Sequence, residues 1–191
     1  MLSGSEKLSG KDSERLAALH TAILPASLVS RLGLSYARAF YRYVAVSPHE
    51  VLTTERGGDG RIMAGCVVSH AMGSFKRRLL WSTPLLPAAV LRLPVIIRAL
   101  GSGGPVQEPQ EIELLMLFTD PNARGQGAAT RLVQRAETDL IRRGIGKYVV
   151  RTFDDPGDPA YKFYIARGFE HIDSFSSHGS RFALMRRTLA A

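Results

Sequence analysis

Apolar positions in this chain recur with two different periods, and the changes of period mark out its elements. From Ala128 to Arg143, the residues Ala129, Leu132, Val133, Ala136 and Leu140 fall on one helical face, with Arg131, Arg135, Asp139 and Arg143 elsewhere. From Glu111 to Thr119 (EIELLMLFT) a two-residue period predicts a strand with Glu111, Glu113, Leu115, Leu117 and Thr119 on one face. After a Gly144-Ile145-Gly146 break, Lys147 to Phe153 predicts another strand. Asp158 to Phe169 (DPAYKFYIARGF) predicts a short helix, with Asp158 as its cap, Pro159 in its first turn and Gly168 just past its end. Two hairpins are expected: Val51 to Glu55 with Arg61 to Ser69 around Gly57-Gly58-Asp59-Gly60, and Glu170 to Phe175 with Arg181 to Arg186 through Ser177-His178-Gly179-Ser180. Arg15 to Leu24 reads as a strand, and Pro25 to Val46 as two short helices broken near Gly33. In the second of these helices Tyr36, Phe40, Tyr41 and Tyr43 accompany Arg38 and Arg42.

Between the first hairpin and the strand at Glu111 lies a long connection, Met72 to Gln110, which is unusual inside a compact domain. It holds Lys76-Arg77-Arg78, an apolar stretch from Leu79 to Leu100, and then GSGGPVQEPQ. Arg92, Arg98, Pro84, Pro87 and Pro94 interrupt the apolar part and argue against a membrane span. A helical cover on the domain or on a second copy is expected, with weak peripheral membrane contact through residues 76–100 as the alternative. The 191 residues form one domain, residues 14–191, behind a polar tail over residues 1–13 that reads as disordered.

Composition adds less. Hydrophobic residues at 45% and charged residues at 22% are ordinary for a globular protein, which excludes the fibrous and wholly disordered classes. The net charge of +8 suits anionic ligands. Nucleic acid is not expected as a partner, because the arginines are dispersed and the aromatics do not interleave with them. One cysteine, Cys66, excludes an intramolecular disulfide, fits a buried inert thiol, and accords with a cytoplasmic location. His20, His49, His70, His171 and His178 have neither paired helical spacing nor a cysteine cluster, so no metal is expected. There is no G-x-S-x-G elbow, and Gly101 to Gly104 lacks the Lys-Ser/Thr that ends a nucleotide-binding loop.

The chemistry concentrates at Pro121-Asn122-Ala123-Arg124-Gly125-Gln126-Gly127-Ala128-Ala129, a glycine-bearing turn between a strand and a helix start. Glycines let the backbone approach a ligand, and the first amides of a helix have no partner within it, so this arrangement is a cradle for phosphate. Arg124, Gly127 and Ala129 stand at R-x-x-G-x-A, a spacing that resembles the acyl-CoA-binding motif of the GNAT acetyltransferases. Ala160, Tyr164 and Gly168, four residues apart and so near one helix face, belong to an A-x-x-F-Y-x-x-x-G-F arrangement similar to the second hallmark of that family. The order strand, turn, helix, strand, helix from about residue 111 onward is that of the family's cofactor half.

The resemblance implies a fold and a reaction. The fold class is α/β (α+β): a mixed, mostly antiparallel twisted sheet of about six or seven strands flanked by helices, with a helical insertion before the cofactor-binding strand. The implied cofactor is acetyl-CoA as acyl donor, without metal. Its pyrophosphate would be held by Arg124, Gly125, Gln126, Gly127, Ala128, Ala129 and Thr130, and its pantetheine arm would lie along Leu117, Phe118 and Thr119. Glu113 would be the general base, its pKa raised by the apolar strand around it, although a purely structural role accounts for it equally. Tyr164 would face the cofactor sulfur and protonate the departing thiolate. The implied acceptor is a primary amine of a small molecule, with amino sugars one class. Alternatives are a protein amine or a catalytically idle acyl-CoA-binding sensor or scaffold, and a homodimer is compatible with the insertion.

Overall fold

A computed structural model of the chain describes residues 8–71, 78, 112–177 and 179–189. Apart from Arg78, the insertion at 72–110, with the helical cover expected there and its alternative of membrane contact at 76–100, lies outside the described residues, as does His178.

The first described element corrects the sequence reading. Gly10–Ile23 is a helix, α1, not a strand. Ser9 caps it: its hydroxyl accepts from the Asp12 amide at 3.1 Å, and the Asp12 carboxylate accepts from the Ser9 amide at 3.1 Å. Residues 10–13, assigned above to a disordered tail, are therefore its opening turn. Ser13, Leu16, Ala17 and His20 recur at helical spacing and are all buried. Two further helices follow as expected, α2 (Leu28–Arg31) and α3 (Leu34–Val46), separated by Gly33 at φ 94°.

Among the described residues six strands make one sheet: β1 (Glu50–Arg56), β2 (Ile62–Ser69), β3 (Glu113–Thr119), β4 (Lys147–Phe153), β5 (Glu170–Ser177) and β6 (Ser180–Thr188), in the order β1-β2-β3-β4-β6-β5. Only β3 and β4 run parallel; the other four pairings are antiparallel. Helices α4 (Ala128–Arg142) and α5 (Pro159–Ala166) are the crossover helix after β3 and the helix after β4. The mixed, mostly antiparallel sheet flanked by helices is the architecture expected.

Two apolar cores cover the two faces. Leu16, Phe40, Tyr41, Val67 and Phe118 belong to the core under α1 and α3. Leu132, Val133, Val68, Leu114 and Tyr164 belong to the core under α4 and α5. Close approach of α1 explains Gly65 on β2: a Cβ there would lie 2.7 Å from Phe118 and 3.0 Å from Leu16. Among the described residues no helix is long and apolar enough to cross a membrane, and no group of His, Cys, Asp and Glu could hold a metal.

The strict alternation expected in β3 does not hold. Val67 pairs with Met116 while Val68 pairs with Leu114, so Leu115 is an extra, bulged residue. Parity flips across it. Glu113, Leu115, Met116 and Phe118 lie toward α1 and α3, whereas Leu114 and Leu117 lie toward α4 and α5. Glu113 and Leu117 therefore face opposite ways.

Candidate active site

The bulge sits where the sheet opens. Strands β3 and β4 pair only at Glu113 with Val149 and Leu114 with Val150, and from Leu115 onward they diverge. Backbone groups of Leu115 to Thr119 on the β4 side, and of Arg151 to Phe153 on the β3 side, lack a strand partner there. The gap forms a cavity of about 680 Å³. Its lining includes Leu117, Phe118 and Thr119 from β3, Arg151, Thr152 and Phe153 from β4, and Phe163 and Tyr164 from α5. Residues of both sheet faces contribute, so the cavity runs through the plane of the sheet.

At one end it meets the glycine turn. Asp120 accepts a hydrogen bond from the Asn122 amide at 3.0 Å and starts a 3-10 turn, Pro121–Ala123. Gly125 and Gly127 then take φ of 76° and 74°, the left-handed region where a side chain is strained. Gly127 is the N-cap of α4, no side chain caps that helix, and its first turn holds no acidic residue. The first internal bond of α4 runs from the Arg131 amide to the Gly127 carbonyl, which leaves the amides of Ala128, Ala129 and Thr130 without a helical acceptor. A second hollow of about 250 Å³ is lined by Thr119, Arg124, Gly125, Gly127, Ala128, Ala129, Thr130 and Phe163. Arg124 is exposed at its rim and forms no ion pair with a described residue. Unspent amides, the positive end of a helix and a free guanidinium converge on this hollow, which suits a phosphate group.

The turn is braced by residues that the sequence reading overlooked. Arg15 of α1 pairs with Asp120 at 2.7 Å and donates to the Ile62 carbonyl at 3.1 Å. Arg131 bridges the Gln126 carbonyl at 2.9 Å and Glu55 at 2.8 Å. Gln126 itself is exposed and reaches back to the Asn122 carbonyl at 3.4 Å, so its side chain serves the loop and lines neither hollow.

Glu113 and Tyr164 occupy different depths. Tyr164 lines the large cavity at 5% exposure and packs edge-on against Phe169, with ring centroids 5.1 Å apart. Burial pushes its hydroxyl well above the ordinary tyrosine pKa, so it keeps its proton at any physiological pH. Glu113 lies one residue behind the lining, 6% exposed, where β3 and β4 are still paired. Its carboxylate meets the Arg151 guanidinium at 3.2 Å, and Arg151 does line the cavity. The neighbourhood of Glu113 is thus not purely apolar, as the strand pattern implied, but contains a compensating cation. None of the described histidines lines the cavity. His70, for instance, has its Nε2 2.9 Å from the Pro48 carbonyl and 3.1 Å from Arg143. Cys66 is fully buried and burial pushes its thiol up to about 12, which makes it inert.

Residues 35–169, more than half of the chain, match the acetyltransferase (GNAT) family. The chain belongs to that family. It is an acyltransferase of the N-acetyltransferase type, and the family uses acetyl-CoA. No curated protein matches this GNAT chain significantly. Among solved structures, one described as an acetyltransferase superimposes with a TM-score of 0.66 at 15% identity, over 97% of this chain and 98% of that one. An aminoglycoside 6'-N-acetyltransferase complexed with coenzyme A gives 0.62 at 14% identity, over 94% and 91%. The ribosomal-protein-S18-alanine N-acetyltransferase from Escherichia coli gives 0.60 at 11% identity, over 97% and 93%. At these identities the likeness establishes the fold alone, and the acceptors named for the last two differ from one another.

Proposed function

We propose that this GNAT enzyme transfers the acetyl group of acetyl-CoA to a primary amine of a small molecule, with Tyr164 and Glu113 as its catalytic side chains. The supporting observation is the continuity between the uncapped start of α4 and the split between β3 and β4, with Tyr164 on the wall between them. The residues present fit the cofactor. The amides of Ala128, Ala129 and Thr130, the turn Gly125-Gln126-Gly127 and the Arg124 charge would hold its pyrophosphate. The unpaired edge of Leu117, Phe118 and Thr119 would hydrogen-bond its amide-bearing arm.

Bound there, acetyl-CoA supplies a thioester carbonyl for attack by the acceptor nitrogen. The chain's own groups then handle the protons. Tyr164, held protonated by burial, donates to the leaving sulfur. Glu113, charge-compensated by Arg151, accepts the amine proton through a water, because its carboxylate stands one residue behind the wall. Main-chain amides on the β4 side of β3, freed by the split, are donors for the carbonyl oxygen as negative charge builds on it.

The test is release of free thiol from acetyl-CoA in the presence of a broad amine panel, alongside calorimetric titration with coenzyme A. Amine-dependent thiol release supports the reading. Tight coenzyme A binding without thiol release from any amine would make the chain a sensor instead.

A further inference from the structure

One wall of the cavity is unusual. Phe153 of β4 pairs in register with Phe182 of β6, which pairs with Phe175 of β5. Their rings lie nearly parallel: 5.1 Å and 21° between Phe153 and Phe182, 5.7 Å and 22° between Phe182 and Phe175. The three rings form a ladder across the strands, and Phe153 and Phe182 line the cavity together with Ile23 and Leu24 at the end of α1. Phe153 remains 48% exposed. Because the rings sit on paired strands, the surface is preformed, and a planar apolar group laid on it would bury area without reorganising the protein.

Charge on the same face points the same way. Two buried carboxylates on this face, Glu113 and Glu50, are already matched by arginines. Glu113 pairs with Arg151 at 3.2 Å, and Arg151 also lies over the Phe175 ring at 5.8 Å from its centroid. Glu50, which shares a cross-strand row with Ser69 and Glu113, pairs with Arg78 at 2.6 Å. The one carboxylate in the cavity lining, Asp158, accepts from the Ala160 and Tyr161 amides at 2.7 and 3.1 Å as the cap of α5. The remaining charged groups of the lining are Arg124 and Arg151. A polycation would bring its extra charges to a cavity whose described lining carries two arginines against one carboxylate, Asp158.

Resting on the acetyl-transfer reading above, we infer that the acceptor is an aromatic monoamine: a primary amine carried by a planar apolar body, with no second cationic centre. The Phe153-Phe182-Phe175 ladder selects the body, and the excess of arginine over carboxylate in the lining disfavours polyamines and aminoglycosides.

The experiment compares kcat/KM for three amines with acetyl-CoA, read as thiol release: 2-phenylethylamine, n-propylamine and spermidine, with kanamycin as a second polycation. The expected order places 2-phenylethylamine above both polycations by at least about tenfold, the scale of one well-formed ring contact or one unmatched charge. In Phe182→Leu the ratio of 2-phenylethylamine to n-propylamine should fall by about three- to tenfold, a ratio that is insensitive to any loss of folded enzyme. Spermidine or kanamycin turning over as well as 2-phenylethylamine would overturn the inference and leave acetyl transfer standing. So would an unchanged ratio in folded Phe182→Leu, or a variant whose preference between acetyl-CoA and hexanoyl-CoA moves while its amine preference does not. Should the variant fail to fold, the wild-type order decides alone. Thiol release from none of these amines overturns the inference, and silence across the broad amine panel as well overturns the acetyl-transfer reading with it.

Discussion

Lowering the pH from 7.5 to 5 should cost this protein about 2 kcal/mol of stability through one side chain, His20. Its ring is fully buried between α1 and β3, with Nδ1 2.6 Å from the Tyr41 hydroxyl, Nε2 2.7 Å from the Ser27 hydroxyl, and the Phe118 ring 5.7 Å away. Burial lowers its pKa from 6.5 to about 4, because the site withholds the water that an imidazolium needs. The sign follows from proton counting. Between pH 6.5 and 4 the unfolded chain holds a proton that the folded chain refuses, so stability is complete above pH 6.5 and falls as pH falls toward 4. At about 1.4 kcal/mol per unit the full shift is worth about 3 kcal/mol, and about two thirds of that is gone at pH 5. The assay is urea unfolding of wild type and His20→Gln at pH 7.5 and 5. His70 also titrates downward from its ordinary value through burial, but it is common to both proteins and cancels in the double difference. Asp12, held at about 2 chiefly by its hydrogen bond to Arg56, loses its contribution only below the window, as pH falls from 3.8 toward 2. His20→Gln will be less stable at both pH values, yet its pH-dependent loss should be smaller than that of wild type by about 2 kcal/mol. A double difference under about 0.5 kcal/mol would refute the burial argument.

Three predictions concern the site. Tyr164→Phe should lower kcat by about 10²-fold or more while leaving the Kd for coenzyme A nearly unchanged, by single-turnover kinetics and calorimetry; equal turnover removes Tyr164 as the acid. Glu113→Gln should lower kcat and flatten the acidic limb of the pH–rate profile, since the base works only when ionised; a limb of unchanged shape assigns it to another group. Gly127→Val should weaken coenzyme A binding with little loss of kcat at saturation, because a branched side chain at φ 74° displaces the amides that follow; wild-type affinity in titration calorimetry would contradict the cradle.

The elements that frame the candidate site were legible in the sequence because their signals are local. Gly127, Ala128 and Ala129 declare a turn and a helix start within a few residues, and Asp158, Pro159 and Gly168 bracket α5 in the same way. The strand reading of Arg15 to Leu24 failed for a different reason. The run RLAALHTAIL is apolar enough for either period, and the deciding signal lay upstream, in the Ser9-x-x-Asp12 capping box within a stretch dismissed as tail. Long-range partners carry no such local mark. Nothing in the sequence near Glu113 announces Arg151, and nothing near Asp120 announces Arg15, 105 residues away. The ring ladder was equally hidden, since Phe153, Phe175 and Phe182 become neighbours only through the β4-β6-β5 order.

Leu115 is the residue on which these parts converge. A strand of perfect alternation would have put Glu113 and Leu117 on one face and kept β3 hydrogen-bonded to β4 along its length. One extra residue changes both outcomes at once: it reverses parity between Glu113 and Leu117, and pairing with β4 ends at Leu114, immediately before it. A bulge bends its strand and increases local twist, so the divergence of β3 from β4 is the expected mechanical result. The carboxylate thereby stays on the face under α1 and α3 while Leu117 turns toward α4 and α5. Deleting Leu115 should restore continuous pairing, close the split, and abolish coenzyme A binding in a protein that still unfolds cooperatively. Retained binding at wild-type affinity by the folded deletion variant would mean that the split is imposed by α4 and α5 rather than by the bulge.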